Sequence, residues 1–268
     1  MKINMRLRAV TPAVTALAAT LYMVPQPAFA AARNEATGSP PIKDSLSVRD
    51  AEARLNKTQF NKVRVTVKDG IATLTGTVDL YQYKADAEKR VGKAKDVKAV
   101  RNQINVNRPE ISDAKLQERL TERLSYDRVG FGNMFNAIGV KVNNGVVSLE
   151  GHARTYVDRD SAAALVATTP GVLDLIDSVE VDSVSIMDDE IRIKVARSVY
   201  GDWALNKYLI DPAKPIRISV QDGKVSLYGA VNSRMDAGIA YMRANAVPGV
   251  FQVSNYLQVP GETMERLN

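Results

Sequence analysis

The sequence predicts an α+β fold, built as tandem α-β-β-α-β modules, each a small three-stranded mixed sheet with two helices on one face. Two observations predict it. One phrase occurs three times, as Val63-Arg-Val-Thr-Val-Lys-Asp-Gly-Ile-Ala-Thr-Leu-Thr-Gly76, Ile138-Gly-Val-Lys-Val-Asn-Asn-Gly-Val-Val-Ser-Leu-Glu-Gly151 and Ile216-Arg-Ile-Ser-Val-Gln-Asp-Gly-Lys-Val-Ser-Leu-Tyr-Gly229. A second pattern of period two follows each copy at the same separation: Val100, Asn102, Ile104 and Val106; Leu175, Asp177, Val179 and Val181; Val253, Asn255, Leu257 and Val259.

The repeated phrase is a hairpin. Alternation broken by Asp-Gly or Asn-Gly is the sequence mark of a two-residue type I′ turn, and the turn sets the register. Val67, Val65 and Val63 then face Ala72, Leu74 and Gly76. Val142, Val140 and Ile138 face Val147, Leu149 and Gly151, while Val220, Ile218 and Ile216 face Val225, Leu227 and Gly229. One face is apolar, and the closing glycine points inward. An amphipathic helix precedes each hairpin, carrying Val48, Ala51 and Leu55; Leu116, Leu120 and Leu124; or Ile191, Val195 and Val199.

A second helix follows each hairpin, within a gapless stretch that runs to Val97, Val172 and Val250. Asp79, Thr155 and Ser233 are its expected N-caps, and the residues just before those valines its expected end. Ala87, Ala162 and Ala240 form a small-residue stripe, against which Gly76, Gly151 and Gly229 are expected to pack. The parallel return to the last strand calls for a right-handed crossover. Asn102, Asp177 and Asn255 fall on an otherwise apolar face, so each is expected to bond nearby backbone.

Residues 1–30 read as a signal peptide: Lys2, Arg6 and Arg8 precede an apolar stretch and an Ala28-Phe-Ala30 cleavage site. Residues 31–44 read as a disordered leader, 45–108, 112–183 and 187–259 as the three modules, and 260–268 as a tail. The chain has no cysteine, so no disulfide or lipid anchor on cysteine supports it. No later segment is long and apolar enough for a membrane span of roughly 20 residues, and a periplasmic address is expected. The formal charge of +6 falls to +3 once the signal is removed. The first module concentrates what remains, with 14 basic and 7 acidic residues in 45–108, against 7 and 11 in 112–183.

The [Val/Ile]-x-Val-x-[Asp/Asn]-Gly-x-[Val/Ala]-x-Leu-x-Gly hairpin, the later Val-x-x-Val-x-Asn-x-[Leu/Ile]-x-Val strand and the α-β-β-α-β order resemble the BON domain family of bacterial osmotic-shock and nodulation proteins. The resemblance covers about residues 45–259 in three copies. It implies an envelope-associated protein that contacts phospholipid or other envelope components, without catalytic activity. Asp177 in place of Asn, and longer loops before the second and third hairpins, depart from the pattern.

Function is expected where the copies differ. In module 1, Lys84, Lys89, Arg90, Lys93 and Lys95 make the second helix and its exit cationic, a face for anionic phospholipid or a merely solvated one. The loop after Leu124 carries Phe131 and Phe135, and the one after Val199 carries Trp203, all candidates for contact with a membrane interface or a partner protein. Leu209 and Ile210 are expected to fold back onto the core. His152, the chain's single histidine, has no companion for a metal site or a triad, and Asp188, Asp189 and Glu190 read as a helix-start cap. The expectation is a non-enzymatic, cofactor-free periplasmic protein on anionic phospholipid surfaces, in osmotic or envelope stress, with no nucleic-acid partner. The alternative is a protein-interaction scaffold, chaperone-like or peptidoglycan-associated.

Overall fold

The computed structural model describes residues 42–126, 131–211 and 214–261, along which three sheets follow one another. Module 1 comprises α1 (Ile42–Arg54), β1 (Val63–Lys68), β2 (Ile71–Val78), α2 (Tyr81–Val91) and β3 (Ala99–Val106). Module 2 comprises α3 (Asp113–Tyr126), a single turn α4 (Phe131–Met134), β4 (Ala137–Asn143), β5 (Val146–Ala153), α5 (Tyr156–Ala167) and β6 (Asp174–Val181). Module 3 comprises α6 (Ile186–Tyr200), β7 (Arg217–Gln221), β8 (Lys224–Ala230), α7 (Arg234–Asn245) and β9 (Gln252–Gln258). In each, the first two strands are antiparallel and the third lies parallel to the second, giving the expected mixed sheet.

The hairpin register is the one the turns imply, with Val65 opposite Leu74, Val140 opposite Leu149 and Ile218 opposite Leu227. Both residues of each turn have positive φ, Asp69 at 54° and Gly70 at 79° for example, as type I′ requires. The closing glycines owe their identity to a different contact from the one expected. Gly76 and Gly151 have φ of 118° and 107°, and a Cβ there would lie 2.0 Å from the carbonyl oxygen of Lys62 or Ala137. The crowding therefore comes from the backbone entering the neighbouring strand, not from the alanine stripe.

Several boundaries differ from expectation. The second helices end at Val91, Ala167 and Asn245, and the stretch on to Val97, Val172 and Val250 is turn. Thr155 and Ser233 are N-caps, accepting the amides of Asp158 and Asp236. Asp79 is not: Leu80 holds the cap position without a side-chain bond, while Asp79 accepts from Asn107 at 2.8 Å. Helix α1 starts at Ile42, inside the segment read as leader; the signal and the rest of that leader lie outside the described residues.

Asp44, Asp113 and Asp188 occupy equivalent places eleven residues before Leu55, Leu124 and Val199, and each reaches across to the hairpin turn of its own module. Asp44 accepts the Asp69 amide at 3.3 Å, Asp113 those of Asn144 and Gly145, and Asp188 those of Asp222 and Gly223 at 3.1 and 2.9 Å. Asp188 is thus not the cap of α6; that role belongs to Ser185. Asp188 is 2 % exposed, so Asp188→Ala strands the buried Gly223 amide and the half-buried Asp222 amide. At about 1 to 3 kcal/mol for each such group, the loss should exceed 2 kcal/mol in urea unfolding of module 3. Asp44→Ala, which removes one longer bond, should cost about half as much or less.

The polar residue of each last strand is likewise satisfied by backbone. Asn102 accepts the Ile104 amide and donates to the Lys84 carbonyl, as Asn255 does with Leu257 and Ala237. The side chain so occupies an amide two residues along an edge strand, a position otherwise open to another chain. Asp177 cannot donate; it accepts the Val179 amide, and Arg159 stands 3.7 Å away where the other modules offer a carbonyl.

Candidate functional site

Alanine and valine orient α2. With Ala87 and Val91 fully buried, Lys89 and Lys93 point outward one turn apart, and Arg90 lies beside them half-buried. The last turn of α1 brings Arg54 to the same place. Arg54, Lys89, Arg90 and Lys93 line, with Asp86, a notch of about 330 Å³. Sequence reading missed Arg54 because it lies 35 residues from Lys89 on another helix.

The two arginines are held, and among the described residues neither lysine side chain makes a hydrogen bond or ion pair. Arg90 Nε donates to Asp86 at 2.7 Å with its guanidinium 5.8 Å from the centre of the Phe60 ring, and Arg54 Nε donates to Asp50 at 3.2 Å. Asp50 also accepts the Lys95 amide at 2.8 Å; that amide foremost, and then Arg54, hold its carboxyl below the usual carboxylate range. Four cations thus meet two carboxylates, with Lys89 and Lys93 exposed. Lys84 and Lys95 do not line the notch. Their main-chain groups serve Asn102 and Asp50 instead.

The aromatic candidates separate. Trp203 is 85 % exposed in the turn after α6, where Asp202 accepts the Ala204 amide and pairs with Arg243 at 2.8 Å. Phe135 is 5 % exposed and belongs, with Met134, to the core of module 3, so it is not available as a contact. The side chain of Phe131 lies outside the described residues. Leu209 and Ile210 are 53 % and 82 % exposed, contrary to expectation; Leu205 and Tyr208 are the residues that turn inward. Tyr208 is held there by hydrogen bonds, donating to Asp236 at 2.6 Å and accepting the Asn232 amide.

An open cleft of about 1370 Å³ runs between modules 2 and 3, lined by the β4 edge at Ile138–Lys141 and by Tyr228 and Tyr256, whose rings stack 5.1 Å apart. Among the described residues no three His, Cys, Asp or Glu side chains converge as a metal set, and no helix is long and apolar enough to cross a membrane.

The family model for the BON domain matches residues 46–108, 112–183 and 190–261. The chain belongs to the BON domain family. BON domains are envelope-associated domains of the phospholipid-binding type. No curated protein sequence matches the chain. Among solved structures, the C-terminal domain of CdsD, the structural protein of the type III secretion system of Chlamydia trachomatis, is 19 % identical, with a TM-score of 0.23 over 79 % of this chain and 96 % of that one. The PrgH periplasmic domain is 10 % identical, with a TM-score of 0.19 over 81 % of this BON protein and all of its own chain.

Proposed function

We propose that this BON protein is a non-enzymatic, periplasmic protein that adsorbs to anionic phospholipid surfaces, with the module 1 notch as its electrostatic contact. The observation that carries the reading is the convergence of Arg54, Lys89, Arg90 and Lys93 from two helices. A cation near such a surface contributes about 1 kcal/mol, so four give at most about 4 kcal/mol, a millimolar affinity. The charge alone is therefore weak. Trp203 and Ile210, both exposed and apolar, supply the interfacial contact that raises it.

Flotation with phosphatidylglycerol and phosphatidylcholine vesicles tests the reading. Binding is expected to phosphatidylglycerol alone, to weaken with salt, and to be abolished when Lys89, Arg90 and Lys93 are all changed to Glu. Equal or absent binding to both vesicles overturns it. The cleft beside β4 favours a second reading, a protein or glycan partner from the envelope. In that case Tyr256→Ala, not the charge reversal, should remove capture.

A further inference from the structure

The joint between modules 2 and 3 is closed by charges that neither module supplies alone. Asp182, the residue after β6, has a side chain 1 % exposed. It accepts the Ser219 hydroxyl of β7 at 3.1 Å and Arg192 Nη2 of α6 at 3.2 Å, so a carboxylate of module 2 is buried in module 3. Arg192, 3 % exposed, also donates from Nη2 to the Val220 carbonyl at 3.0 Å and from Nη1 to Asp189, while its Nε has no partner among the described residues.

His152 faces this set from β5. Its Nδ1 is shielded from solvent, makes no hydrogen bond among the described residues, and lies 3.6 Å from Asp182 Oδ1 and 3.9 Å from Glu180 Oε2. Its ring centre is 6.1 Å from that of Tyr228 on β8, which stacks on Tyr256 of β9. From the strand end beyond β5, Arg154 approaches Asp189 at 3.4 Å. The charged groups facing the joint are the carboxylates Glu180, Asp182 and Asp189 and the guanidiniums Arg154 and Arg192, with Arg217 of β7 lining the cleft beside Tyr228; the two phenols complete the set. The charges nearest His152 itself are the carboxylates Asp182 and Glu180, which a protonated imidazole offsets.

We propose that His152 is a proton-operated latch on the joint between modules 2 and 3: the imidazolium donates Nδ1–H to Asp182, its neighbour within module 2, and so fixes the carboxylate where it takes Arg192 and Ser219 of module 3, and loss of the proton loosens the joint. A small closing movement brings the 3.6 Å approach within bonding distance. Asp182, foremost, lifts the His152 pKa above the ordinary value of about 6.5, against the burial of the ring and with help from Glu180. A raised value means that the stabilisation is complete below about pH 6.5 and disappears as the pH rises through the folded value. Acid tightens the joint and alkali slackens it.

The full chain has one histidine and no cysteine, so each probe is unambiguous. Spin labels at Ser161→Cys on α5 and Asn245→Cys on α7 report the distance between the modules. Measured at about pH 5.5 and about pH 8.5, on either side of the range in which histidine titrates, the distance distribution should be about twofold narrower in acid. The imidazole proton resonances should titrate above about pH 6.5. His152→Thr places at this position the residue that module 1 carries at Thr77, and it should give one width at both pH values. Three results overturn the proposal: an unchanged width in the wild type, a midpoint at or below the ordinary value, or an undiminished pH response in His152→Thr. A pair within module 3, at Lys194→Cys and Met242→Cys, should keep its width. Broadening there too shows that the module itself unfolds, and also overturns the latch.

Discussion

Alanine at Gly151 should strip module 2 of most of its stability. The backbone there has φ of 107°, and the new Cβ would stand 2.0 Å from the Ala137 carbonyl oxygen, which is backbone and cannot swing aside. A side chain in such a conformation costs about 1 to 3 kcal/mol, and forced overpacking costs about as much again. A module of about 70 residues has roughly 4 to 10 kcal/mol of stability, so the sum consumes most of it. Two glycines calibrate the result. Gly229→Ala, where the nearest backbone oxygen is 2.9 Å from the Cβ, should cost less. Gly238→Ala, on the exposed side of α7 with nothing within 4 Å, should gain about 0.5 to 1 kcal/mol. Urea midpoints rank the three, and a Gly151→Ala midpoint equal to that of the wild type would contradict the steric account.

Phe135→Ala should destabilise the neighbouring module. The ring follows α4 in module 2 but fills the core that Ile216, Leu227 and Val199 build in module 3, with the Arg154 guanidinium 5.7 Å from its centre. Truncating a buried phenylalanine costs about 3 to 5 kcal/mol. Hydrogen exchange should accelerate in β7 and β8 before it does in β5, while vesicle flotation of the folded protein stays unchanged. Trp203→Ala should do the reverse, with stability within about 0.5 kcal/mol of the wild type and vesicle binding reduced. If Phe135→Ala leaves the exchange of β7 and β8 unchanged, the loop does not plug module 3.

The hairpins were legible because their information is local. Alternation and a two-residue turn specify which side chains share a face, and the register from Val63–Gly76 to Val142–Val147 follows without knowledge of the rest of the chain. The glycine positions were legible too, but not their cause, since the strand backbone that crowds Gly151 is visible only once β4 and β5 pair. Helical spacing from Leu205 admits both Tyr208 and Leu209. Tyr208 is the one that turns inward, its hydroxyl bonded to Asp236 and to the Asn232 amide, and Leu209 stays exposed.

The candidate site was half legible. Lys89, Arg90 and Lys93 lie on one helix face by periodicity alone, whereas Arg54 joins them only because α1 and α2 pack side by side on one sheet. Asp188 reads as a helix-start cap for the same reason: an acidic residue in a first helical turn already has a local use, and its bonds to Asp222 and Gly223 cross 34 and 35 residues.

By itself the sequence determined three modules, their strand faces and their cationic end, all properties that repeat within a few residues. Which aromatic rings stay exposed, what the closing glycines avoid and how His152 meets Asp182 were decided by the tertiary structure. The physical reason is that each depends on an unfilled surface or an unbalanced charge contributed by a different part of the chain, and spacing along one segment carries no record of either.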